Sequence, residues 1–235
     1  METGAIAASA SMTSARDDIF ATIRRSLGVS GQEAIRQDIV AERLRRAPKG
    51  VIPQRGQLAG ADLIGLFSTQ AEAAFATVAN VTSTREVPDA IAAFLRSHNL
   101  PASVRMGDDP WLHAMPWGET SLSVSHGVSD GDDLNAVSHA VAGVAETGTL
   151  IMTSGPENPS TLNFLPDNHI VVLSANDITG DYETMWEAIR TKHGRGQMPR
   201  TVNMITGPSR SADIEQTLLL GAHGPRRLHI VLVSD

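Results

Sequence analysis

The first regular pattern along the chain has a helical period. Ile19, Ile23 and Leu27 recur four residues apart with Phe20 beside them, and Gly28 stops the run. Asp17 and Asp18 open this segment and Arg24 and Arg25 close it, the charge order a helix macrodipole favours, so Ala15–Leu27 is predicted helical. A second helix is predicted over Gln32–Arg46, and Pro48, Gly50 and Pro53 break the pattern after it. Residues 15–56 therefore read as an N-terminal helical arm with a linker. Met1 to Ser14 are small and polar, with neither a basic start nor an apolar stretch, and read as a disordered leader rather than a signal peptide.

From residue 57 to 235 helical and strand-like segments alternate, and this part reads as the main domain. Helices are predicted at Asp62–Ala76 and Pro88–His98, and strands at Thr77–Val81, Ala102–Met106 and Leu122–Ser125, with an irregular connection at Trp111–Trp117. That alternation predicts an α/β fold with a mainly parallel sheet and helices on its faces. Further on, Val137–Ala145 and Thr149–Thr153 are two extended runs, Ser154–Pro166 is a polar loop, and His169–Ser174 is a buried strand. A helix follows at Asp181–His193. The end reads as a closing strand–helix–strand unit: Thr201–Ile205, a Gly-Pro corner, a short helix over Arg210–Leu220, a Gly-containing corner, and Leu228–Val233.

Composition narrows the function. The 41% apolar and 19% charged content over 235 residues suits a globular chain, and no apolar run reaches the ~20 residues of a membrane helix. We therefore expect no membrane insertion and a cytoplasmic location. There is no cysteine, hence no disulfide, no thiolate nucleophile and no iron–sulfur cluster ligated by this chain's sulfur. Residues 1–60 hold nine Lys/Arg against six Asp/Glu, and residues 61–235 hold ten against twenty, so the main domain is acidic and nucleic acid is not an expected partner. The basic stretch Arg43, Arg45, Arg46 and Lys49 reads as a solvated helix face sooner than a docking surface.

Four segments carry candidate chemistry. At Glu146-Thr147-Gly148-Thr149, a carboxylate beside a hydroxyl and a glycine suits a general base, an acyl nucleophile or a hydrogen-bond acceptor for a ribose; an ordinary hairpin turn explains it equally well. The loop starting at Ser154 and Gly155 directly follows a strand, where open α/β sheets bind ligands. Thr206, Gly207, Ser209 and Arg210 precede the predicted last helix, and free N–H groups, hydroxyls and a guanidinium there suit a phosphate or carboxylate. His223, followed by Gly224, is a candidate proton donor or acceptor, or an incidental imidazole at a helix end. The glutamate corner and the two glycine–proline corners flanking the predicted last helix are expected to converge on one hollow. No metal site is expected. The eight histidines are scattered along the chain, and Asp130, Asp132 and Asp133 lack the spacing of a calcium loop.

Four segments in order, Val144–Leu150, Leu165–Ile170, Ile205–Glu215 and Leu220–Arg226, together with Asp18–Gly28, resemble the LUD-domain family in its lactate utilization protein C branch. The resemblance implies a three-layer α/β/α fold shared with ribose-5-phosphate isomerase and CoA transferases (the NagB/RpiA/CoA transferase-like type). It also implies a role in oxidising L-lactate to pyruvate alongside iron–sulfur partner subunits, this chain being the component without a cluster or metal and the binder of a small anionic ligand. An independent acyl- or CoA-transferase using Glu146, or a small-molecule sensor, is the alternative.

Overall fold

The computed structural model describes residues 14–194, 196–212 and 218–234. These fall into two compact units divided between Gly50 and Val51. The first holds α1 (Ala15–Leu27) and α2 (Ala34–Arg46). Ser14 caps α1 by accepting the Asp17 N–H, and Gly28 ends it in the left-handed region at φ 63°. Neither helix has a buried residue, and Ile19, Leu27, Ile35 and Leu44 are each at least 60% exposed. The leader Met1 to Ser14 lies, Ser14 apart, outside the described residues.

In the second unit the elements follow in order. They begin with α3 (Gly60–Ala73), β1 (Thr77–Val81), α4 (Val87–Ser97), β2 (Ser103–Met106), α5 (Pro110–His113), β3 (Ser123–His126) and β4 (Asn135–His139). Then come β5 (Ala142–Val144), β6 (Thr149–Thr153), β7 (Asn168–Ser174), β8 (Ile178–Thr179), α6 (Tyr182–His193), β9 (Val202–Ile205), β10 (Arg210–Ala212), β11 (Leu218–Leu220) and β12 (Arg227–Val233).

Six strands form one sheet in the order β1-β12-β7-β4-β2-β3, and every neighbouring pair is parallel. The alternation of side chains along a strand divides the core into two layers. Val171, Leu173, Ile230 and Leu232 pack with Phe67 and Ala71 of α3 and with Leu150 and Met152 of β6. On the opposite face Ile170, Val172, Val231 and Val233 pack with Ile91, Phe94 and Leu95 of α4. Strands buried on both faces need apolar residues through their centres, as residues 170–173 of β7 and 230–233 of β12 have, and each such side chain contributes about 1.5–3 kcal/mol. A second sheet, β8-β5-β6-β9, is mostly antiparallel; Ile151 turns away from the first core to meet Met185 and Ile189 of α6.

Two expectations need correction. The apolar run at 137–145 is not one strand: Ala140 N–H donates to Val172 of β7, while Val141 N–H donates to Ile151 of β6. The chain changes sheets between those two residues. Nor is there a closing strand–helix–strand unit, because β9 belongs to the small sheet and β12 to the large one. Within the span predicted as the last helix, β10 and β11 pair as antiparallel strands, and residues 213–217 lie outside the described residues. The two arms are tied together at their base. Ser209 N–H donates to Pro225 O and Ser209 O accepts the Gly221 N–H, both at 2.9 Å, so the chain leaves the corner extended and paired rather than coiled.

Candidate functional site

A cavity of about 300 Å³ lies between the turn after β9 and the return from β11. Its wall brings together Thr206, Gly207, Ser209 and Arg210 from one side, His223 and Gly224 from the other, and Asn163, Phe164, His169 and Leu228 from the main sheet and its flanking loop. The corner is sterically determined. Gly207 sits at φ 70°, and a Cβ there would lie 2.0 Å from the Ala74 carbonyl oxygen, so any larger residue would push the turn off the end of α3. Ser209 Oγ accepts the His223 N–H at 3.3 Å, joining the two arms, and Arg210 places its guanidinium 5.2 Å from the Phe75 ring centroid.

The inner wall holds the most informative chemistry. Ser138 Oγ donates to Asn163 Oδ1 at 3.3 Å and lies 3.1 Å from His169 Nε2. A hydroxyl has one proton, and the Asn163 oxygen can only accept, so the Ser138 oxygen must accept from His169 Nε2–H. With the Asn163 amide in this orientation the proton sits on Nε2, and a neutral ring then leaves Nδ1 bare. Burial alone pushes His169 down to about 3, in agreement with a neutral ring. Asn163 Nδ2 and His169 Nδ1 are both buried and have no hydrogen-bond partner, although both residues are 1% exposed. Leaving a buried donor or acceptor unmatched costs about 1–3 kcal/mol; Asn158, His193, Asn203 and His229 each carry another such atom, but only Asn163 and His169 of these residues line the cavity. Ser138, Asn163 and His169 are not among the residues the sequence singled out. The signal within reach was a histidine inside the otherwise apolar β7.

The other predicted residues lie elsewhere. Glu146 is 6% exposed, and its Oε1 accepts the Tyr182 N–H at the start of α6. Thr147 Oγ1 bonds Thr149 Oγ1 and the Tyr182 hydroxyl at 2.7 and 3.0 Å. Gly148 has φ 65°, and a Cβ would meet the Ala71 nitrogen at 2.2 Å, so this glycine lets α3 approach the β5–β6 turn. Ser154 Oγ accepts the Thr201 N–H, while Gly155 exchanges backbone hydrogen bonds with Asn158. None of these five residues lines the cavity. One connection remains: Thr149 Oγ1 lies 2.6 Å from Thr206 Oγ1, so a chain of hydroxyls runs from the glutamate corner to the cavity's edge.

With that geometry established, similarity to known proteins adds identity at the family level. A family model described as the LUD domain matches residues 64–233. The chain belongs to the LUD-domain family. It is similar to lactate utilization protein C of Anoxybacillus flavithermus, 34% identical over 92 residues covering 39% of this chain and 40% of that protein. The Bacillus subtilis protein of the same name is 36% identical over 93 residues, 39% of each chain. An uncharacterized protein of Neisseria meningitidis is 40% identical over 96 residues, 41% of this chain and 40% of that one. The chain thus spans about two fifths of the length of these relatives. Among solved structures, a DUF162 family protein from Deinococcus radiodurans superposes with TM-score 0.56 at 23% identity, covering 75% of this chain and 99% of that one. That likeness establishes the three-layer fold. Among the described residues, no helix is long and apolar enough to cross a membrane.

Proposed function

We propose that this protein is the non-redox component of an L-lactate utilization system and that its cavity binds the small carboxylate on which that system acts. In this reading electrons released in the oxidation of L-lactate to pyruvate pass to iron–sulfur partner subunits. The chain itself, having no cysteine, offers no thiolate to a cluster. Two relatives that carry the name lactate utilization protein C support the metabolic context.

The observation that carries the ligand class is the pair of unmatched buried atoms at the cavity wall. A 2-hydroxy carboxylate is complementary to them. Its carboxylate accepts from Asn163 Nδ2–H and pairs with Arg210, and its hydroxyl donates to the bare Nδ1 of His169. Exposed His223 on the same wall is available to exchange a proton. Glu146 and Thr147 hold α6 and the hydroxyl chain behind the cavity in this account, and Gly148, Ser154 and Gly155 brace the surrounding turns.

Titration calorimetry with L-lactate, pyruvate and propionate tests the reading. Lactate should bind more tightly than either pyruvate or propionate, because only lactate presents a hydroxyl donor to the bare Nδ1 of His169. Arg210→Ala should weaken lactate by about tenfold or more, the loss of one charge-assisted hydrogen bond. Equal affinity for lactate and propionate, or no change in the variant, would remove the assignment.

A further inference from the structure

The carboxyl edge of the large sheet holds a second cluster, which shares no residue with the cavity wall. Asp108 lies just beyond the end of β2, His113 ends α5, and His126 ends β3. Each offers one ligand atom, and the three atoms lie within 4.8 Å of one another. The His113 and His126 rings stack with centroids 4.3 Å apart and planes 22° from parallel. We propose that Asp108, His113 and His126 form a binding site for a transition-metal dication of the zinc type.

The chemistry of the donors selects that class. Two imidazoles and one carboxylate suit zinc, nickel or cobalt, whereas magnesium and calcium prefer sites built from oxygen. Three protein ligands on an exposed edge leave positions open for water or a substrate oxygen, the arrangement of catalytic rather than structural zinc. Parallel pairing of β2 with β3 sends both strand ends to the same edge, where open α/β sheets place their ligands.

The backbones behind the three side chains are braced. Asp108 N–H donates to Pro156 O, and a Cβ on Gly107 would lie 2.1 Å from Glu157 O, so this loop is packed tightly beneath the aspartate. The short helix bearing His113 is capped by buried Asp109, whose Oδ1 accepts from the Trp111 and Leu112 N–H groups while Oδ2 lies 2.9 Å from His139 Nδ1. His126 O accepts from Arg105, and the charge of that arginine is matched by Asp133 at 3.1 Å. Only the exposed side chains have to rotate to close on an ion at the ~2.0–2.1 Å of zinc–nitrogen bonds.

The test uses untagged, chelator-stripped full-length chain titrated with zinc chloride by calorimetry and with cobalt chloride by visible absorption. One ion per chain should bind, with intense cobalt bands of low coordination number. His113→Ala and His126→Ala should each weaken zinc by about 100-fold or more, beyond the cost of losing a merely supporting partner, and Asp108→Asn by about tenfold. Because all three side chains are exposed, thermal melts of these variants without metal should match the parent. The conservative His113→Gln and His126→Gln serve if an alanine variant melts early. No saturable zinc uptake by the parent, or uptake unchanged in the double histidine variant, overturns the proposal. Lactate binding is read separately in the same protein, so failure of either site does not obscure the other.

Discussion

Two corners of the small sheet look alike in sequence, each a glycine beside hydroxyls and one charged side chain, yet the fold treats them differently. At the β5–β6 turn the Glu146 carboxylate, the Thr147 and Thr149 hydroxyls and the Tyr182 hydroxyl all have partners, and Gly148 is needed for contact with α3. At the corner after β9 the neighbouring wall keeps a buried donor on Asn163 and a buried acceptor on His169 with nothing to bond. The first arrangement completes a scaffold, while the second is the one we propose to take a ligand. Complete satisfaction of polar groups, more than their chemical type, separates the two.

Gly148→Ala should have the largest effect and test the scaffold half of this contrast. Positive φ and a Cβ 2.2 Å from a backbone nitrogen leave no small adjustment, and urea unfolding should report a loss of about 3 kcal/mol or more. Next comes His169→Phe, which should abolish the preference for lactate over propionate in calorimetry. It removes an unmatched buried atom but also the Nε2–H bond to Ser138 and adds volume to a filled site, so stability should fall by about 1–2 kcal/mol. A variant that instead unfolds the protein would move His169 to the scaffold side. Glu146→Gln keeps the shape of the side chain and weakens one charge-assisted bond to the α6 start, so we expect about 1–2 kcal/mol less stability and unchanged lactate affinity. Lost affinity with an intact melt would return Glu146 to the chemistry.

Acid gives the most graded effect. Burial lowers His169 to about 3, and His229 to about 4 with help from neighbouring His98 against the Thr77 hydrogen bond, from an ordinary value of 6.5. The unfolded chain therefore binds more protons than the folded one between those values. Stability is fully present above pH 6.5 and declines as pH falls toward 4 and 3, by at most about 1.4 kcal/mol per pH unit for each ring. Denaturant midpoints measured across that range should show the slope, and His169→Phe should flatten it.

How much of this could be read from sequence depends on how local the cause is. Thr77–Val81 and Thr149–Thr153 were legible to the residue because turn signals bracket short β-prone runs, and Ala15–Leu27 because its caps and charge order agree. The change of sheet between Ala140 and Val141 was hidden, since it falls within the apolar stretch 140–142, which carries no turn signal, and both sheets want apolar residues. The predicted last helix had correct-looking stops at Pro208 and Gly221, but the bonds that pair the two arms join Ser209 to Pro225 and to Gly221, partners that lie far along the chain. Half of the candidate site was visible as hydroxyl, glycine and arginine chemistry at 206–210 and 223–224. The unmatched atoms of Asn163 and His169 were not, because satisfaction is a property of neighbours brought in by the fold. The same holds for Asp108, His113 and His126, whose spacing matches no ligand motif.

The position of β12 between β1 and β7 has a consequence for how the chain is born. Thr77 meets His229 across 152 positions, and β7 too must wait for the same strand. At ~5–20 residues per second of synthesis the first strand would stand for roughly 8–30 s with a bare hydrogen-bonding edge before its neighbour leaves the ribosome. Such an interval invites wrong pairing between nascent copies, so a chaperone that shields β1 during translation should raise the yield of folded protein more than one added after release.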